Sequence, residues 1–243
     1  MKKIFLTVLM CVALAPIVHA QFTNFGVQVG GGYSHLRDNL TSKGGIMGVT
    51  VGGYVTYSFL NSHSVMADIF YLQGGLNFMR RGGRFEEITD DGVIRSERKT
   101  KYSGWYLQIP ILANFRYELP LAARGHFARF FVGPAFSFGI FGNYNDRKVT
   151  PFRPQQTWNY EIKNDPVFDH AKRIDANLIA GLGYQYGNIV ASLYVDYGFL
   201  SIGETEDVLH NMETSDASRL GVTNGNIVTY MLSVGYQFPI EHR

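Results

Sequence analysis

Three groups of side chains in this sequence have the chemistry for a reaction or for holding a cation. Asp165, Asp169 and His170 lie close together, His210 lies near Ser215, and Glu204, Glu206 and Asp207 form a short acidic run. A histidine beside a carboxylate can activate a hydroxyl for acyl transfer or phospholipid hydrolysis at a lipid boundary, and carboxylates with a histidine can ligate a metal. Neither histidine group carries a nucleophile motif, and no spacing is diagnostic of a ligand set. The expectation is solvated loop surface, with no enzyme activity, no metal and no cofactor. Gly30-Gly31-Gly32 precedes no helical pattern, which excludes a phosphate cradle at a helix start. The formal net charge is +2 with no polybasic tail, so nucleic acid is not an expected partner.

A second set of ionisable residues, Asp68, Arg116, Arg129, Asp175 and Asp196, sits inside segments of alternating polarity. Those segments dominate the chain, and the periodicity of an amphipathic helix is absent. Alternation predicts strands over about Phe25–Leu36, Ile46–Phe59, Val65 onward, Tyr102–Tyr117, Phe127–Phe141, Ile174–Tyr186, Ile189–Leu200 and Ile227–Phe238. In the third, Val65, Ala67, Ile69 and Tyr71 share the apolar parity, which switches by Leu76 and Phe78. A β-bulge at Gly74-Gly75 would account for the switch. Asp91-Gly92 reads as the tip of a ribbon continuing the third and fourth strands, and Gly187-Asn188 as a tight turn.

Residues 1–20 read as a cleaved signal peptide: Met-Lys-Lys, an apolar run to Val18, then His19-Ala20, with cleavage between Ala20 and Gln21. The run is shorter than the roughly 20 residues of a membrane helix and is interrupted by Pro16. Residues 21–243 then form one domain without cysteine, so no disulfide framework is available. No later stretch is long and apolar enough to span as a helix, which leaves a soluble β-protein or one that crosses a membrane with strands.

Charge placement separates the two. Lys43, Lys99, Lys101, Lys148, Lys163 and Lys172 all fall in predicted connections or at their edges, and the polar strand faces carry Gly, Ser, Thr, Gln and Asn. Small neutral residues suit a narrow packed interior, and the Val, Ile, Leu and Phe face with Tyr and Trp near its ends suits lipid. Long connections, including about thirty residues from Asn143 to Arg173, fall on one side and short turns on the other, as in outer-membrane barrels. The expected fold is all-β, an eight-stranded antiparallel up-and-down transmembrane β-barrel in the cell outer membrane, monomeric and without a wide pore. A soluble periplasmic ligand-binding barrel is the alternative.

Charges inside such a barrel are costly unless paired. The turn from Pro120 to His126 brings Arg116 opposite Arg129, and the expected bulge brings Asp68 within diagonal reach of Arg116, with Glu118 at the same end. The expectation is an interior network of Asp68, Arg116, Arg129 and Glu118, with Asp175 and Asp196 as further interior charges.

Three runs carry a family resemblance: Tyr106 to Tyr117 (YLQIPILANFRY), Phe131 to Gly139 (FVGPAFSFG) and Ser233 to Phe238 (SVGYQF). Together they resemble the PorT-like outer-membrane β-barrel proteins of the Bacteroidota, over roughly Phe25 to Phe238. The resemblance implies outer-membrane lipid and the barrel assembly machinery as partners, with Phe238 as the aromatic that the machinery reads. It also implies an alternative role, as an accessory component of a type IX protein secretion apparatus. The residues themselves suggest a structural component, or a binding and adhesion component whose long loops meet a protein or glycan. Tyr144, Phe152, Trp158, Tyr160 and Phe168 suit recognition, and equally suit a cap over the barrel mouth.

Overall fold

The computed structural model describes residues 21–37, 42–58, 69–90, 95–120, 125–151, 158–166, 173–200 and 226–240. Residues 1–20, expected as a leader ending at Ala20, the expected turn at Asn61-Ser62 and Asp68 lie outside the described residues. Nearly everything described is strand: β1 (Gln21–Arg37), β2 (Ser42–Ser58), β3 (Phe70–Asp90), β4 (Arg95–Glu118), β5 (His126–Pro151), β6 (Trp158–Pro166), β7 (Ile174–Tyr186), β8 (Ile189–Gly198) and β9 (Asn226–Pro239).

The sheet order is β4-β3-β2-β1-β9-β8-β7-β5, and the β4–β5 pairing closes it into a ring of eight antiparallel strands. β6 stands outside the ring, paired along the far end of β5 from Asn143↔Pro166 to Pro151↔Trp158. Closure satisfies the backbone of every ring strand on both sides, which hydrocarbon demands because it offers no water to an unpaired amide.

Alternation decides the two faces. Outward residues include Met47, which is 72% exposed, Leu182 at 61% and Leu193 at 60%, within a continuous apolar band that lipid covers. Inward residues on the same strands are buried and mixed in character, among them Tyr54, Gln108, Asn177, Tyr194 and Met231. Phe238 faces outward on β9, opposite Phe25 in the register of the closing β1–β9 pair, with ring centroids 6.2 Å apart.

Two expectations need correction. No bulge occurs at Gly74-Gly75: the register runs unbroken from Tyr57↔Leu72 to Val51↔Phe78 on one side, and from Phe70↔Phe115 to Phe78↔Leu107 on the other. The apparent switch arose from Tyr71, whose ring points inward and is buried while Phe70 and Leu72 face out. Register shifts fall elsewhere, at Phe22–Asn24 on β1, at Ser42–Gly44 and Gly45–Val49 on β2, and beside Ile140 on β5, where Trp105↔Phe141 is followed by Tyr106↔Gly139.

The stretch after Asn143, expected as loop, is largely strand: β5 runs to Pro151 and β6 returns along it. With the β3–β4 ribbon, which pairs out to Asp90↔Arg95, it makes a four-stranded sheet that rises beyond the apolar band. Lys99, Lys101, Lys148 and Lys163 lie in these extended strands rather than in loops.

Two glycines show what the backbone requires. Gly187 has φ +55° at the β7–β8 turn, the left-handed region that glycine adopts without penalty. Gly133 faces inward where β5 meets β4, and a Cβ there would lie 2.0 Å from the Ile111 carbonyl oxygen. Gly133→Val should therefore destabilise the barrel by about 1–3 kcal/mol through overpacking. Urea titration in vesicles, read by heat-modifiable gel mobility, checks this; an unchanged midpoint would show that the β4–β5 contact tolerates a side chain.

Candidate functional site

The interior is stacked in strata. Nearest the short-turn end, Arg129 on β5 is buried and donates from Nη2 to Gln73 Oε1 at 3.1 Å and Asn114 Oδ1 at 2.9 Å. Its guanidinium lies 5.6 Å from the Tyr71 ring centroid. Arg116 stands directly opposite Arg129 in the β4–β5 register, as expected, and its guanidinium lies over the Phe127 ring at 4.6 Å. Arg129 is thus held by neutral oxygens and an aromatic face. Glu118, opposite Phe127, is exposed at the strand end. It is not drawn into the interior, which corrects its place in the expected network; the Asp68 part of that network lies outside the described residues.

Above this level Leu112, Phe131, Ala135, Ile179, Tyr194 and Met231 form an apolar stratum. A small cavity of about 30 Å³ lies between it and Arg129, large enough to admit water.

The next stratum holds the interior's ion pairs. Arg81 on β3 reaches Asp196 Oδ2 on β8 at 3.3 Å through Nη1 and Asp175 Oδ2 on β7 at 3.2 Å through Nη2. Arg81 and Asp196 are wholly buried, and the Tyr106 ring covers the guanidinium at 4.6 Å. One cation between two carboxylates leaves a deficit of positive charge, and neutral donors offset it. Gln108 donates to Asp196 Oδ2 at 2.7 Å, Asn177 donates to Asp196 Oδ1 at 2.8 Å and Asp175 Oδ2 at 3.2 Å, and the Leu200 amide donates to Asp175 Oδ1 at 3.2 Å. Ser137 links the set by donating to Asn177 Oδ1 at 2.9 Å. Side chains of β3, β4, β5, β7 and β8 thus meet across the lumen.

A last stratum closes the loop side. Leu36, Met79, Tyr102, Tyr106, Tyr144 and Ile227 pack together, and the Tyr102 and Tyr106 hydroxyls share a hydrogen bond. Tyr144 therefore belongs to a cap over the interior. Trp158 and Tyr160 occupy β6 positions opposite Pro151 and Val149, and Phe152 and Phe168 lie outside the described residues.

Asp175 and Asp196 were legible as interior charges, but Arg81 was not. It follows Arg80 at the end of the apolar pattern, where adjacent charges read as the start of a loop. Carrying the parity of Leu76 and Phe78 forward, which sets Asn77, Met79 and Arg81 on the inner face, would have found it. Asp169, His170, Glu204, Glu206, Asp207, His210 and Ser215 lie outside the described residues, and Asp165 pairs with Tyr144 in the β5–β6 register. Among the described residues no cluster of His, Cys, Asp and Glu is arranged to hold a metal ion.

Residues 19–203 match the family described as outer membrane protein beta-barrel domain. The chain belongs to that family. This outer-membrane barrel domain accordingly resides in the outer membrane, and the soluble periplasmic alternative is set aside. Solved structures similar to the barrel include Ail, the attachment invasion locus protein of Yersinia pestis, in complex with the heparin analogue sucrose octasulfate. It shows 14% identity and a TM-score of 0.38, covering 90% of this chain and 100% of that one. The N-terminal β-barrel domain of Pseudomonas aeruginosa OprF gives 14% identity and 0.32 over the same shares. A major outer membrane protein from Thermus thermophilus gives 13% identity and 0.39, covering 89% of this chain and 99% of that one. No curated protein matches the chain.

The Arg81 pairs make a sharp prediction for this outer-membrane barrel. Arg81→Met should lower unfolding free energy by about 3–5 kcal/mol, because it leaves two buried carboxylates without a cation. Adding Asp175→Asn and Asp196→Asn should restore most of the loss. Urea unfolding in vesicles measures both, and an Arg81→Met barrel as stable as wild type would show that the pairs contribute no stability.

Proposed function

We propose that the protein is an outer-membrane barrel without a wide pore that acts as a structural or loop-mediated binding component, meeting its partner on the outer side. The observation that supports this most is the continuation of β3, β4, β5 and β6 as one paired sheet beyond the apolar band. From Trp105 at the edge of that band, β4 continues ten residues to Arg95, about 30 Å of extended strand. A sheet that long is more than the strands need to cross lipid, and its outer edge, β6, is paired to β5 alone among the described residues. Edge backbone with side chains at alternate positions supplies the elements of strand-addition recognition of a protein segment.

Within the family, the runs at Tyr106–Tyr117, Phe131–Gly139 and Ser233–Phe238 favour the PorT-like proteins of the Bacteroidota. On that reading Phe238, at the β1–β9 closure, serves assembly into the membrane.

The test removes the sheet's outer hairpin without disturbing the ring. Asn145 and Asn164 are register partners, so replacing 146–163 by an Asn-Gly turn keeps the flanking ladder. The trimmed barrel should keep its heat-modifiable mobility, while surface crosslinking on intact cells should yield a partner adduct with the full chain and lose it with the trimmed one. Identical adducts and equal cell adherence from both chains would contradict the binding reading.

A further inference from the structure

Like charges stand directly opposite each other on the outer wall of the barrel. Arg84 on β3 is the register partner of Lys101 on β4, and Lys99, one step higher on the same face, is the partner of Arg147 on β5. Directly opposed residues in an antiparallel pair share a face with Cβ atoms roughly 5 Å apart, and like charges there are destabilising. Both pairs have the outward parity of Phe78 and Trp105, and Arg84, Lys99 and Arg147 are exposed. Arg80, opposite Trp105, stands at the foot of the group and donates from Nε to Ser103 Oγ at 2.8 Å. Acidic residues in register at this level are Glu86, opposite Lys99, and Glu97, opposite Val149. Among the described residues in register at this level the cations Arg84, Lys99, Lys101 and Arg147 outnumber them.

The height of this cluster is set by the strands. From Phe115 to Trp105 β4 runs ten residues on the apolar face, about 33 Å along the strand or about 25 Å of height at a tilt near 40°, which matches the apolar band of an outer-membrane barrel. Trp105 therefore marks the outer edge of the band. There it stacks on Phe78 with centroids 4.7 Å apart and planes 10° apart, and Phe141 lies 6.1 Å from both rings. Lys101 and Arg84 lie about 10 Å higher, at headgroup level, within reach of long side chains that keep their stems on apolar surface.

We propose that this patch holds the phosphate of an anionic lipid headgroup in the outer leaflet. Arg84 and Lys101 flank the phosphate through charge-assisted hydrogen bonds, Arg80 supports it from below, and Phe78, Trp105 and Phe141 lie along the acyl chains. An anion between them turns the opposed cations from mutual repulsion into a shared site. The rings directly below distinguish a lipid from a free phosphate ion, which would have no use for them.

The full-length protein is tested in nanodiscs of phosphatidylcholine, with and without a minority of phosphatidic acid, by native mass spectrometry of retained lipid and by heat-unfolding midpoint. Wild type should retain phosphatidic acid preferentially and gain midpoint from it. Arg84→Gln with Lys101→Gln should lose retention by about fivefold for each charge removed, lose the midpoint gain, and melt no lower than wild type in pure phosphatidylcholine. Lys101→Gln alone, with about a fivefold loss expected, serves if the double variant fails to refold. Arg37→Gln, which removes an exposed outward cation on β1, should behave as wild type. The proposal is overturned if the patch variants retain phosphatidic acid as wild type does, or if Arg37→Gln loses as much. It is equally overturned if inorganic phosphate raises the midpoint as phosphatidic acid does.

Discussion

Inside hydrocarbon an unpaired backbone amide costs several kcal/mol, and a sheet escapes that cost only by closing on itself. The β1–β9 and β4–β5 pairings complete the closure, and the remaining features follow from it. Eight tilted strands enclose a lumen just wide enough for side chains. Every inward position must then be filled by something that fits and is satisfied. Gly133, pressed against the Ile111 carbonyl, shows how little space some positions have, while Tyr54, Tyr71 and Tyr194 fill the wider ones.

The filling is a sequence of strata rather than one uniform core. Two apolar layers, with Met231 in the lower and Met79 in the upper, bracket the Arg81–Asp175–Asp196 layer. Such an arrangement makes the ion pairs strong in Coulomb terms and costly to dismantle, since each charge has been taken from water and tied to partners on other strands. Because β3 lies across the ring from the adjacent strands β7 and β8, those contacts brace the barrel across its diameter. Among the described residues, the polar strata tie charge to partners on several strands across the lumen. A barrel filled in this way leaves its outer wall and its extended sheet as the surfaces that other molecules can meet.

Much of this was legible in the sequence, and the failures have physical causes. Strict alternation with lysine excluded from the band identified the strands and their lipid side, and Gly187-Asn188 marked the β7–β8 turn, while Asp91-Gly92 lies outside the described residues. The opposition of Arg116 and Arg129 followed from the Pro120–His126 turn. Tyr71 misled the parity of β3, because a tyrosine ring reads as lipid-facing while its hydroxyl equally suits a polar interior. Arg81 was missed because it adjoins the outward Arg80, and two neighbouring charges resemble the end of a strand. The β5–β6 hairpin was hidden for a related reason: Asn143, Asn145, Asp146, Arg147 and Lys148 interrupt the apolar alternation that announces a strand inside the band.

The central claim is that the stacked interior seals the lumen, so that the protein works at its surfaces. Conductance of purified wild-type protein in planar lipid bilayers tests this most directly. The account predicts no resolved conductance steps from folded, heat-modifiable protein at neutral pH, whereas stable, reproducible open-channel steps from that material would contradict it.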